Sequence, residues 1–216
     1  VSKLIFDIET DGFLDVVTKV HCIAFKEPGG QVQSVGGPTD EKIRNLLTHL
    51  EDQEELIGHN IIEYDIPVLK KVYPNFKPRG KMFDTLLDVQ WLYTDMRELD
   101  FALRRKNHDF PAELIGKHSL KAWGVRLGHL KGTFGETTDW AQWSQEMQNY
   151  CERDVVVDEH IYNMILKSVR FNPRTHDTEM EFKQYILDQE KEGFPLDQEK
   201  TKALYTELAA ERADLE

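Results

Sequence analysis

Two acids sit inside an apolar run near the start of the chain, and any fold must accommodate them. Residues 4 to 13 read LIFDIETDGF. Leu, Ile and Phe at this density predict a buried strand over residues 3 to 9, closed by an Asp-Gly turn signal. In a strand, residues i and i+2 share a face. Asp7 and Glu9 therefore project together on the side of Ile5, while Leu4, Phe6 and Ile8 face the other way. Two carboxylates so close repel each other, and burial adds a desolvation cost. A proton, an Arg or Lys, or a metal ion must compensate, and no basic residue follows at a suitable local spacing. Clustered hard oxygen donors suit Mg²⁺ or Mn²⁺. The plainer alternative has one acid facing solvent at the strand end, or capping the TDG turn.

The rest of the chain supplies strands first and then helices. TKVHCIAFKEPGGQVQSVGG predicts a hairpin about a Pro-Gly-Gly turn. Ile43, Leu46, Leu47 and Leu50 recur at helical spacing behind Thr39 or Asp40 as a cap. A short strand over 55–58 leads into HNIIEYDIPVLKKVY, where Pro67 fits a helix start just after Asp65. FDTLLDVQWLY predicts a helix capped by Asp84, and residues 98–118 read as loop or short helices. HSLKAWGVRLG predicts a short helix ended by Gly128, and a long helix follows from Trp140 to about Val169. This order implies an α/β architecture, a mixed sheet with helices on its faces. NPRTHD, residues 172–177, is the best linker candidate. Two helices close the chain, one ended by Gly193 and one capped by Asp197. The last shows no stop signal, which suggests a chain cut from something longer.

A length of 216 residues allows one sizeable core plus an appendage. No apolar run is long enough to span a bilayer, and no secretory leader is present. Cys22 and Cys151 read as buried free thiols of a reducing compartment, without the second cysteine a zinc site needs. The net charge of −12 argues against a protein that coats duplex DNA through many phosphate contacts. It does not exclude one that handles a nucleic-acid end with metal ions, which bring their own positive charge.

Two further acids join the first pair. In YCERD, Tyr150 and Asp154 are four residues apart and share a helix face, either at a site or as a surface pair. Asp65 sits at a helix start, where a carboxylate is usually a cap. Taken together, Asp7-x-Glu9, then Asp65 after His59-Asn60, then Tyr150-x₃-Asp154, the set resembles the proofreading 3′→5′ exonucleases with four acids and a tyrosine. HNIIEYDIPVL, FDTLLD and KHSLKAWGVRLG resemble the exonuclease domain of T-odd-phage-type replicative DNA polymerases of family A, and ILDQEKEGFPLD is similar to the segment that opens the polymerase region.

The resemblance implies a ribonuclease-H-like fold, a five-stranded mixed sheet flanked by helices with a C-terminal helical extension. Residues 1–170 would be the exonuclease and 171–216 the linker and first helices of a polymerase region. It implies hydrolysis at a DNA 3′ end, giving nucleoside 5′-monophosphates with two divalent cations, Mg²⁺ or Mn²⁺. Asp7 would bridge the cations, Glu9 and Asp154 would complete one site, Asp65 would serve the other largely through waters, and Tyr150 would orient the attacking water. Asn60 and Tyr64 would contact the terminal nucleotides. Phe13 and Leu14 would form an apolar wedge against the bases, or else pack in the core. His59 would bind substrate or make structural hydrogen bonds, and Lys121, Trp123 and Arg126 would line the approach, unless Trp123 is core. The implied partners are a single-stranded or frayed DNA 3′ end and the polymerase region of the same longer chain, with no membrane. The implied location is the cytoplasm, the host's for a phage protein. The alternatives are an RNA-directed exonuclease of the same fold and a catalytically silent module.

Overall fold

Five strands form one mixed sheet. They are β1 (Lys3–Thr10), β2 (Val20–Lys26), β3 (Gln33–Gly36), β4 (Glu55–Gly58) and β5 (Lys81–Asp84), in the order β3-β2-β1-β4-β5. The computed structural model describes residues 1–106, 110–128 and 139–215. β1 is central, antiparallel to β2 and parallel to β4, and β4 is parallel to β5. The C-terminal ends of β1, β4 and β5 therefore open on one edge of the sheet. That edge is where ligands bind in α/β folds, at the point where the chain switches from one side of a strand to the other.

The helices are α1 (Glu41–Glu51), α2 (Asp65–Val72), α3 (Thr85–Leu92), α4 (Met96–Lys106), α5 (Leu120–Arg126), α6 (Gln145–Lys167), α7 (Pro173–Glu192) and α8 (Gln198–Leu215). Alternation along β1 sorts the core as the sequence predicts. Ile5 packs with Cys22, Ala24 and Ile57 against Trp123 of α5 and Met147, Cys151 and Val155 of α6. Leu4 lines a groove with Phe25 and Leu46 on the opposite face, the one that α1 covers. The buried stripe of α6 runs through Met147, Cys151, Val155, Ile161, Tyr162 and Ile165 at helical spacing, and Asp154 and Asp158 fall inside it.

Several local expectations change. Asp40 stands before α1 but makes no capping bond, because its carboxylate pairs with Arg44 at 2.8 Å. Asp65 is not a cap either: Tyr64 holds the cap position and Asp65 is the first helical residue. Pro67 comes two residues later, still in the first turn, where its missing N–H costs nothing. Residues 81–84 form β5 and 96–106 form α4, both hidden by mixed polar sequence; 107–109 lie outside the described residues. α6 begins at Gln145 behind a Ser144 cap, so Trp140 precedes it. The linker candidate at 172–177 opens α7, with Asn172 Oδ1 accepting from the backbone N–H of Arg174 at 2.9 Å. The caps at Asp84, Ser119 and Asp197 form as hydrogen bonds.

The chain divides into two compact units, 1–183 and 184–216. The second carries the end of α7 and all of α8, none of whose described residues is buried. Among the described residues no helix is long and apolar enough to cross a membrane.

Candidate active site

The edge where β1, β4 and β5 end holds a cavity of about 230 Å³. Asp7, Ile8 and Glu9 line it from β1, His59, Asn60, Tyr64 and Asp65 from the loop and helix after β4, Tyr150 and Asp154 from α6, and Trp140 from the segment before α6. All four predicted acids and Tyr150 thus meet at one place. Asp7 and Glu9 share a face, as strand alternation requires, opposite Ala24 and Cys22 of β2. The register shifts between Glu9 and Thr10, so the β1–β2 ladder is irregular just past the acids, where Thr10 pairs with Val20.

The electrostatics are one-sided. None of the described lining residues is a lysine or arginine. Burial first, and then the charges of Asp84 and Asp158, push the Asp65 carboxyl up to about 8, while backbone N–H groups of Asp65 and Ile8 pull it down. The Tyr150 phenol is driven far up by burial and by Asp154, Glu9 and Asp7, so it stays a neutral O–H donor. One ligand atom from each of Asp7, Glu9 and Cys151 lies within 4.8 Å of the others. The Cys151 thiol is fully buried and pushed well above its ordinary value by burial. It donates to Asp7 O at 3.3 Å and lies 3.6 Å from Asp7 Oδ2, which makes it a hydrogen-bond partner of the acid and not a thiolate ligand. The donor set is therefore carboxylate oxygen, which fits hard divalent cations.

The substrate candidates divide. Asn60 lines the cavity with a left-handed backbone at φ 73°, and Tyr64 fixes itself by donating to Gly12 O at 2.7 Å. His59 lines the cavity and makes structural bonds, to Thr85 Oγ1 at 2.9 Å and to His118 O at 2.8 Å. Phe13 and Leu14 do not line it. Phe13 is 81% exposed on the turn after β1, so the core alternative fails for it. A second cavity, about 660 Å³, shares His59, Asn60, Tyr150 and Asp154 with the first and adds Gln90, Lys117, His118 and Lys121. Lys121 is thus at the approach, but Trp123 is core, and Arg126 is buried in an ion pair with Asp100.

Sequence reasoning missed Cys151, Trp140 and the buried Asp158. The last had a signal, since it lies one helical turn after Asp154 on the same face.

No family model matches the chain. Two curated relatives do: the DNA-directed DNA polymerases of Enterobacteria phage T3 and Escherichia phage T7, each 28% identical over 98% of this chain. The chain is homologous to phage DNA polymerases. It spans 36% of the length of these relatives. Among solved structures it is similar to a nuclease in its apo form (TM-score 0.62, 17% identity, 87% of this chain and 84% of that one). It is also similar to Brucella melitensis NrnC with bound Mg²⁺ (0.60, 20%, 85% and 81%) and to the catalytic core of RRP6 from Trypanosoma brucei (0.53, 15%, 83% and 45%). The fold is ribonuclease-H-like, with the five-stranded mixed sheet that the resemblance implied.

Proposed function

We propose that this chain is a metal-dependent 3′→5′ exonuclease that removes nucleoside 5′-monophosphates from DNA 3′ ends, as the proofreading part of a longer DNA polymerase. Residues 1–170 carry the nuclease, and 171–216 open the polymerase region. The observation that carries the reading is the meeting of Asp7, Glu9, Asp65, Tyr150 and Asp154, far apart in sequence, around one cavity with no described basic lining. The homologous phage proteins are DNA polymerases, and the similar NrnC structure holds Mg²⁺.

Asp7, Glu9, Asp65 and Asp154 would hold two divalent cations. Bound cations lower the pKa of water and stabilise the leaving 3′ oxygen. Tyr150 keeps its proton and donates it as a hydrogen bond, which holds the attacking water in line with the scissile phosphate. Asn60 and Tyr64 bound the space for the terminal nucleotide. Phe13, exposed beside the Gly12 that Tyr64 grips, offers a face on which a terminal base stacks, with Leu14 beside it. The last bases must be unpaired to enter, so mismatched and single-stranded ends are preferred.

The test is release of labelled nucleotides from single-stranded DNA in Mg²⁺. Asp7→Ala with Glu9→Ala abolishes it while the circular dichroism spectrum stays that of the wild type. Undiminished release in that variant refutes the site. The same assay on RNA of identical sequence decides the sugar preference.

A further inference from the structure

Asp84 and Thr85 are the last residue of β5 and the first of α3, 1% and 0% exposed, and neither lines the acidic cavity. Asp84 does more than cap its helix. Oδ1 accepts from the backbone N–H of Leu86 at 3.0 Å, the cap, and also from that of Asn60 at 2.9 Å. Oδ2 accepts from the backbone N–H of Ile62 at 3.1 Å. Two of these three donors belong to the loop that holds Asn60 in its left-handed conformation and delivers Asp65 to the cavity. Thr85 reaches both ways with one hydroxyl. Its Oγ1 lies 3.3 Å from Gly58 O at the end of β4 and 2.9 Å from His59 Nδ1 on that loop, and its single proton goes to Oδ1 of Asp158 on α6. Asp158 lies one turn after Asp154.

These bonds tie the segment that carries Asp65 to the helix that carries Asp154. Asp7 and Glu9 are placed differently, by the ladder to β2, in which they stand opposite Ala24 and Cys22. We infer that Asp84 and Thr85 are positioning residues, which set the spacing between Asp65 and Asp154 and so the cation affinity of a cavity they do not touch. The inference rests on the nuclease reading for what the cavity does. Its physical content is the distance between two acids on separate elements, joined by a buried polar bridge.

Two substitutions separate positioning from simple stability. Asp84→Asn keeps one oxygen for the Leu86 and Asn60 donors and turns an amide NH₂ toward the Ile62 N–H, which breaks one of the two bonds to the loop while sparing the cap. Thr85→Val keeps the shape and removes the hydroxyl, and Thr85→Ser restores it. On the full chain, Mn²⁺ binding is titrated by electron paramagnetic resonance without substrate, and the Mg²⁺ concentration giving half-maximal nucleotide release is measured beside the melting temperature. Partners that orient metal ligands are worth roughly 10–100-fold in affinity. The expected result is Mn²⁺ binding weakened at least about tenfold in Asp84→Asn and Thr85→Val, a matching rise in half-saturating Mg²⁺, and Thr85→Ser within about twofold of wild type. Lower melting temperatures with unchanged Mn²⁺ affinity would show a merely structural role and overturn the inference. Should Thr85→Val not fold, Asp84→Asn decides alone. A wild type that binds Mn²⁺ but releases no nucleotide removes the nuclease reading, while the Mn²⁺ titration still judges the positioning.

Discussion

Replacing Arg126 by Met tests how the second cavity is held in shape. Asp100, 1% exposed, accepts from Arg126 Nε at 2.8 Å, from Arg126 Nη2 at 2.7 Å and from the Gly116 N–H at 2.8 Å. Arg126 Nη2 also donates to Lys117 O at 2.7 Å, and its guanidinium carbon lies 4.9 Å from the Trp123 ring centre and 5.8 Å from that of Phe110. Methionine keeps much of the volume but leaves Asp100 a buried anion with one donor. Breaking a buried pair from one side costs about 3–5 kcal/mol. At about 2–4 °C per kcal/mol for a chain of this size, the melting temperature falls by roughly 6–20 °C. Arg126→Met with Asp100→Leu removes both charges and recovers most of that loss. Circular dichroism melting of the three variants gives the coupling directly. Residues 116–121 line the cavity beside the acids, so the single variant also raises KM for an oligonucleotide more than it lowers kcat. A double variant no more stable than Arg126→Met refutes the charge argument, and an unchanged KM refutes the link to the cavity.

Three other outcomes are expected. The raised Asp65 carboxyl binds its proton more tightly in the fold than in the unfolded chain, so its stabilisation is complete below about pH 4 and lost as pH rises through about 8. Without metal the wild type therefore melts at lower temperature at pH 8 than at pH 5, saturating Mg²⁺ narrows the difference, and Asp65→Asn reduces it; equal slopes in wild type and variant contradict the assignment. Tyr150→Phe keeps the ring and loses the donor, which lowers kcat roughly 10²-fold with little change in KM, as single-turnover rates check directly. The two cysteines are buried and Cys151 is a neutral thiol, so neither reacts with Ellman's reagent in the native protein and both react in guanidinium; native labelling counts against the packing beneath Asp7.

The strand that carries Asp7 and Glu9 was legible because a period of two fixes the faces, and the buried stripe of α6 because 3.6 does. The caps at Asp84 and Asp197 announced themselves by residue type. β5 did not, because KMFD is too short for a period and half polar. Asp40 misled because a carboxylate at a helix start reads as a cap, whichever partner it takes in space. Asp40 found Arg44, and Asp65 was drawn into the cavity. The meeting of the acids rested on their order in a resemblance, since no local pattern brings residues 7, 65 and 154 together. Thr85 stayed hidden because its partners lie on other elements.

Ile5, Asp7 and Glu9 occupy one row of one strand, with Cys151 packed against the same row. The chain thus builds its hydrophobic interior and its chemistry from a single surface. Heat-hardening substitutions along that row, or along the stripe of α6 above it, will move the acids as they tighten the packing, and turnover will suffer. The far face, where Leu4 meets α1, carries no such obligation, and variants selected there can gain rigidity without disturbing the reaction.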